Sequence, residues 1–447
     1  MSKFLFSVIP TNDFGCLARS LPIARELKLR GHQVAFCHAA KGPQILIAEE
    51  GFQNLQPDDP LYYLLSDPTI LGFFRLLGKG RALRTLRAAA GVLRKAAKQT
   101  TSDGNIDDLN LADFFLFENE QFTCASIAAF MAMINSFQAD AVVDFFNPWA
   151  CVAARILKKP VIAVIQSQMH PQSPGLIWWK DHPSVSPISV PVLDTILGQH
   201  GLPATKSFFE EMLGDLTLVV GIPELDPIAA TAGVTYLGAV LWQNQRAHLS
   251  ETIANLKKDK PAVWIYTGRL RYSSRPTPWD SEVVLKASIE ALANENVQVV
   301  LSTGHQDLPR SYKPLPPNFC FEPFVPGLAM AERSDLMIHH GGYGSCQTGL
   351  YAGIPQVIIP TLSERESNAR RVLQQGAGEI VLPTSDARGL NKKVDATELA
   401  AKVRQVLSAP SYKENAMRIS AKLKEYGGAP MAARLIEEMV QPGRANP

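Results

Sequence analysis

The residue types and spacings in this 447-residue chain that could do chemistry concentrate at 335–372, DLMIHHGGYGSCQTGLYAGIPQVIIPTLSERESNARRV. An apolar strand is expected to end at His339 and His340. Gly341, Gly342 and Gly344 then let the backbone turn tightly and approach a ligand closely. A helix should start near Ser345, so free N–H groups and the positive end of its dipole face the loop, a ready anion site. His340 could donate to a phosphate oxygen, and the Ser345 hydroxyl could add another donor. The loop after QVIIP presents Glu364 and Arg365 at the C-terminal end of a strand, the edge where open α/β sheets bind ligands. A glycine loop alone would equally serve a turn with no ligand. Paired histidines, three glycines and an acidic loop together point to a diphosphate-bearing ligand.

The elements that must position these residues alternate between strand and helix. KFLFSVIP reads as a strand, TNDFG as loop, LARSLPIARELKLRG as an amphipathic helix stopped at Gly31, and HQVAFCH as the next strand. AVVDF at 141–145, a helix at 150–157 and PVIAVI continue the rhythm. AVWIYTG at 262–268 restarts it, followed by a helix near 281–294, VQVVLSTG, DLMIHHGG, a helix at 345–352, QVIIP, a helix through Gln375, and EIVLP. Such alternation argues for two parallel-sheet α/β domains. We expect an N-terminal domain at 1–240, a C-terminal domain at 241–425 with the seam near Trp242, and a last helix within 426–447 returning to the first domain.

Composition removes several classes. Hydrophobic residues make up 46% and charged residues 19%, which excludes a disordered or coiled-coil chain. The formal net charge of +2 gives no case for a nucleic-acid partner. Six scattered cysteines without a CxxC pair suggest a reducing compartment, no structural zinc, and a cytoplasmic protein. No apolar run is long enough to span a membrane. The segment 75–98 carries eight Lys or Arg and no acid, interleaved with leucines. It suits either a peripheral contact with an anionic membrane or a solvated face beside a cleft.

The 335–372 stretch resembles the donor-binding signature of the family 1, UDP-glycosyltransferase-like, nucleotide-sugar glycosyltransferases. The matching residues are His340-Gly341-Gly342-Tyr343-Gly344-Ser345, Gly353-Ile354-Pro355, Pro360, Glu364-Arg365 and Asn368-Ala369. Upstream, PPNFCFEPFVPG at 316–327 resembles the family segment that packs against the nucleotide base, with Phe324 where Trp is usual, followed by Val325. LPIARELKLRGHQVAF resembles the family's first helix and second strand. The resemblance implies a GT-B fold: two Rossmann-like parallel-sheet domains facing an interdomain cleft. It also implies a nucleotide-sugar donor, probed by Gly268, Arg269, Phe324, Val325, His340, Gly341, Gly342, Gly344, Ser345, Thr348, Glu364 and Arg365. No metal is expected; the nucleotide sugar is a cosubstrate.

This chain departs from the family pattern at several positions. The family's general-base His falls at Cys16, and its partner Asp falls at Trp149. An acceptor hydroxyl still needs a base. Asp13, three residues before Cys16, is the nearest candidate, although Asp in TNDFG is also ordinary turn chemistry. Cys16 as nucleophile fits poorly, because an inverting displacement needs no covalent intermediate. Thr348 replaces the Glu that grips the ribose. Arg365 replaces a sugar-binding Gln, which could suit an acidic sugar or form an ion pair with Glu364 or Glu366. Arg269 could reach phosphate or be a solvated loop residue. Aromatic residues in the N-terminal half, including Trp178 and Trp179, suggest an apolar pocket for a lipophilic acceptor such as a polyketide, terpenoid or lipid.

The sequence therefore supports an inverting glycosyltransferase that moves a sugar, with UDP as the expected nucleotide, to a hydroxyl of a small lipophilic acceptor. The alternative is a catalytically inactive GT-B-like protein that binds a ligand or activates a partner. A nucleotide-sugar epimerase or hydrolase on the same fold is a third reading.

Overall fold

A computed structural model describes the chain except for residues 12–13, 64–118, 176–190, 205–208, 258, 273–276, 278, 387–390 and 441–447. The expected membrane-contact segment at 75–98, the WW pair at 178–179 and Asp13 lie outside the described residues. Among the described residues, no helix is long and apolar enough to cross a membrane.

Two parallel sheets form the frame. In the N-terminal half, β1 (Lys3–Val8) pairs with β2 (Gln33–Cys37) on one side and β4 (Ala141–Phe145) on the other. With β3 (Gln53–Asn54), β5 (Val161–Ile165), β6 (Leu216–Val220) and β7 (Thr235–Gly238), the order is β3-β2-β1-β4-β5-β6-β7, parallel throughout. Strands β1, β4 and β5 are almost continuously apolar and buried because helices cover both faces. On one face α1 (Gly15–Leu29) contributes Leu17, Leu21, Ile23 and Leu27. The helix α2 (Lys41–Glu49) adds Ile47 to that same face, and on the other face α3 (Glu120–Phe137) and α4 (Pro148–Ile156) pack Phe122 and Trp149 edge to face at 5.3 Å. The helix α5 (Pro191–Gln199) adds Leu193 and Leu197 to that side.

The linker after β7 includes a one-turn helix, α6 (Glu251–Ala254), before the second sheet begins. That sheet has the order β10-β9-β8-β11-β12-β13, again parallel. Its strands are β8 (Ala262–Tyr266), β9 (Gln298–Ser302), β10 (Phe319–Phe321), β11 (Leu336–His339), β12 (Gln356–Ile358) and β13 (Gly378–Ile380). Its helices are α7 (Glu282–Leu292), α8 (Gly327–Glu332), α9 (Tyr343–Ala352), α10 (Ser363–Gln374) and α11 (Ala396–Ser408). In both sheets the chain order reverses between the first strand's two neighbours. That reversal opens a crevice at the C-terminal strand ends. In the second sheet it lies between β8 and β11, immediately above His339 and His340.

The end of the chain forms two helices. α12 (Pro410–Glu425) and α13 (Gly428–Val440) break at Gly427 and Gly428, both with positive φ. The break lets the chain change domains. Ser420 on α12 donates to Tyr351 O at 2.6 Å, within the C-terminal domain. One turn later α13 lays Ala432, Ala433 and Ile436 against Leu17 and Leu21 of α1. Glu437 accepts from Arg30 and meets His32 Nε2, both at 2.7 Å. Burial of α13 on α1 makes the N-terminal core depend on the last helix. Ile436→Ala should destabilise by about 2–5 kcal/mol, as for other fully buried aliphatic truncations. Amide exchange should quicken in α1 before it does in the second sheet. Equal acceleration in both domains would contradict the docking.

Candidate functional site

The glycine loop is held from below by His339 and Gln356. The Gly341 N–H donates to His339 Nδ1 at 3.0 Å, so the ring proton is on Nε2, which meets Gln356 Oε1 at 2.7 Å. Gln356 then donates to the Cys346 carbonyl inside α9 at 3.2 Å. Burial pushes the His339 pKa down to about 4, so the ring is neutral and acts as a strut. Only one of the paired histidines is therefore available to a ligand.

The other, His340, is packed between two glycines. A Cβ on Gly268 would come within 2.6 Å of its Cε1, and one on Gly342 within 2.5 Å of its Nε2. Those positions must be glycine for the ring to stand there. Burial, with help from the neighbouring Arg365 charge, holds His340 well below the usual histidine range. It can therefore offer a hydrogen bond but not a full positive charge. Its Nδ1 is buried without a partner. A buried nitrogen of this kind fits a bound group that is not part of the chain.

Gly342 caps α9, and Tyr343 is its first residue. Gly344 faces open space, with nothing near where a side chain would stand. The Ser345 hydroxyl is buried nearby. Thr348 does not reach outward: its hydroxyl donates to the Gly344 carbonyl at 2.8 Å, one turn back. From α10, Asn368 Nδ2 donates both to Gly341 O at 3.0 Å and to Glu364 Oε1 at 2.8 Å. One amide thus fixes the acidic loop against the glycine loop.

Arg365 is placed differently from either sequence expectation. It forms no ion pair with Glu364 or Glu366; Glu366 pairs with Arg370. Its guanidinium donates to Trp279 O at 3.0 Å, Ser281 Oγ at 3.2 Å, Tyr272 OH at 3.3 Å and Thr361 Oγ1. These bonds commit the fork to fastening Tyr272, Trp279 and Ser281 onto α10, so it is not held out for an acidic sugar. Arg269 stacks its guanidinium 5.4 Å from the Tyr272 ring centroid. Phe324 stacks on His305, ring centroids 4.2 Å apart and planes nearly parallel. Val325 is buried below it among Trp264, Val300 and Met330, a core position.

In the N-terminal domain, Trp149 is 2% exposed and occupied in packing against Phe122. No carboxylate can orient a base from there. Cys16 sits in the first turn of α1 and accepts from Arg19 Nη2 at 3.3 Å. Asp144 ends β4 and caps the next turn: Ser7 Oγ and the Asn147 N–H donate to it. Burial pushes its carboxyl up to about 7, against those donors.

Residues that the sequence did not single out join the two halves. Tyr343 OH donates to Val220 O and to Asp226 Oδ2, the latter at 3.0 Å. Arg371 on α10 donates to Asp226 Oδ1 at 3.0 Å, to Ser167 Oγ at 2.6 Å and to Leu225 O at 3.0 Å. Tyr343 occupies a variable place in the motif, and Arg371 reads as one more charge in SERESNARRV. Neither carries a sequence signal. Among the described residues, no three His, Cys, Asp or Glu side chains gather to hold a metal ion.

Residues 286–440 match the family described as erythromycin biosynthesis protein CIII-like, C-terminal domain. Over 156 residues, 35% of this chain, it is 33% identical to NDP-glycosyltransferase YjiC of Bacillus subtilis, and that match spans 38% of the relative's length. A longer match, 27% identical over 337 residues, covers 70% of this chain and 73% of a PGL/p-HBAD biosynthesis glycosyltransferase of Mycobacterium tuberculosis. The calicheamicin glycosyltransferase CalG4 superposes over 100% of both chains with a TM-score of 0.69 at 18% identity. The fold is GT-B.

Two outcomes follow. Gly341 has φ +87°, and a Cβ there would meet the Arg365 carbonyl at 2.7 Å. Gly341→Ala should cost about 1–3 kcal/mol of stability, read as a lower melting temperature, and an unchanged melt would contradict the close packing of this loop. Asp144 holds its proton more tightly folded than its ordinary value of 3.8 allows unfolded, so its contribution fades as pH rises from about 4 through 7. The stability deficit of Asp144→Asn relative to wild type, from melts at pH 5 and pH 8, should shrink at the higher pH. A constant gap would mean a carboxylate ionised throughout.

Proposed function

We propose that this GT-B chain, whose C-terminal domain belongs to the family 1 nucleotide-sugar glycosyltransferases, is an inverting glycosyltransferase. It moves a sugar from a nucleoside-diphosphate donor to a hydroxyl of a small lipophilic natural-product acceptor. The observation that carries the reading is the glycine loop at the start of α9, with the unpartnered His340 Nδ1 beside it. Fixed donors aimed at a developing charge are a large source of rate. The diphosphate would lie over residues 341–345, bound by α9 N–H groups, the Ser345 hydroxyl and the neutral His340 ring. Glu364, braced by Asn368, would take sugar hydroxyls.

The acceptor hydroxyl must lose its proton as its oxygen attacks the anomeric carbon. Cys16 and Trp149 cannot reproduce a His–Asp pair, so we assign the base to Asp13. UDP remains the expected nucleotide. With Arg365 engaged by Tyr272, Trp279 and Ser281, neutral sugars should be preferred over uronic acids. We place the protein in the cytoplasm on its six scattered cysteines, which include no CxxC pair.

The test is nucleotide release from a panel of UDP- and dTDP-sugars, with and without a pool of lipophilic alcohols. Acceptor-dependent release is expected. Binding of nucleotide without release from any donor would instead favour a non-catalytic ligand-binding protein. With the active donor in hand, Asp13→Asn should lower kcat about a hundredfold or more while leaving nucleotide affinity within about twofold. An unchanged kcat would remove Asp13 from the chemistry.

A further inference from the structure

Between the domains, Arg19 forms no ion pair with any described carboxylate. Arg19 projects from α1 with only 9% of its surface exposed. Nη2 donates to the Cys16 thiol at 3.3 Å. The Gln166 amide, with its oxygen turned toward the guanidinium, accepts at 3.2 and 2.9 Å. The Tyr343 ring lies beneath, its centroid 5.4 Å from Cζ. None of the three is a carboxylate. No carboxylate among the described residues forms an ion pair with Arg19, and Asp226, on the far side of Tyr343, is taken by Arg371. A buried guanidinium without a carboxylate partner is costly. The other buried arginines of this region differ: Arg371 has its carboxylate, and Arg365 bonds four oxygens of its own domain.

The position of this charge narrows the choice of ligand. Tyr343 is the first residue of α9, so Arg19 meets a side chain of that helix's N-terminal end from the opposite domain. On the C-terminal side, His340 Nδ1 is buried without a partner in the same loop. Arg19 thus touches the first residue of α9 from one domain, and the unpartnered His340 Nδ1 lies in the loop that leads into the same helix from the other. A single carboxylate could neutralise Arg19 but would leave His340 and the helix start unused. A diphosphate has the charge and the number of acceptor oxygens to engage all three.

We infer that Arg19 is a donor-binding residue contributed by the N-terminal domain, which contacts the diphosphate of a nucleoside-diphosphate ligand across the cleft. The inference rests on the donor site proposed above and adds its missing positive charge. In the transfer step, the bond from the anomeric carbon to the diphosphate oxygen breaks and its electron pair stays on that oxygen. The acceptor oxygen forms the new bond and its proton passes to the base. Arg19 offsets the negative charge that the departing diphosphate gains, a task the neutral His340 can only share as a hydrogen-bond donor.

The experiment compares wild type, Arg19→Met and Arg19→Lys. UDP and dTDP are titrated by calorimetry, and uridine and thymidine by ligand-observed NMR. Arg19→Met should bind the diphosphate at least about tenfold more weakly, the size of one charge-assisted hydrogen bond. Its affinity for the matching nucleoside should stay within about twofold, and Arg19→Lys should recover part of the loss. Because Met removes a charge without a carboxylate partner, the ligand-free variant should melt no lower than wild type, while the shift produced by diphosphate shrinks. Unchanged diphosphate affinity would overturn the assignment. So would equal losses for nucleoside and diphosphate, or a lower melting temperature with an undiminished ligand shift, the marks of a structural arginine. An undiminished donor affinity with a raised acceptor KM would overturn it in favour of an anionic acceptor. Wild type that binds neither UDP nor dTDP would overturn the donor site itself.

Discussion

The contact on which the rest of the site depends is the buried junction of Tyr343, Asp226 and Arg371. Asp226 belongs to the first domain, and the other two belong to the second. Burial raises the Asp226 carboxyl to about 6, while Arg371 and the hydroxyls of Tyr343 and Ser167 pull it back. Breaking such a pair by removing one member typically costs about 3–5 kcal/mol, because a charge is left buried alone. The junction therefore constrains how the domains meet more firmly than surface pairs such as Lys422–Glu224 can.

The consequences reach the glycine loop directly. Tyr343 is both the first residue of α9 and a member of the first domain's core. The helix end that would receive a diphosphate is thus fixed from the far side of the cleft. From below, His339 and Gln356 hold the same loop, and from the side Asn368 joins it to Glu364. Three independent restraints converge on five or six residues of backbone. Preorganisation of that kind is what an anion site needs if its donors are not to reorganise when charge develops.

Much of this was legible in the sequence because it rests on local pattern. Strand–helix alternation gives the two parallel sheets, and HHGG before a helix gives the loop and its dipole. The exceptions share a cause. His339 and His340 are adjacent and alike in type, yet opposite sides of the backbone make one a strut and leave the other with a free nitrogen. Arg365 looked free because three of its partners, at 272, 279 and 281, meet it only through the tertiary fold. Tyr343, Asp226, Arg371 and Arg19 gain their roles from contacts between residues more than a hundred positions apart, which periodicity cannot register. The break at Gly427 and Gly428 was present as a dipeptide but is meaningful only because α13 must turn onto α1.

The most direct test of this account is amide hydrogen exchange with and without a saturating nucleoside diphosphate. If the loop is anchored across the cleft, protection should rise together at 341–346 and at 220–226, although the second segment lies in the other domain. Protection confined to the second domain, with 220–226 unchanged, would contradict it.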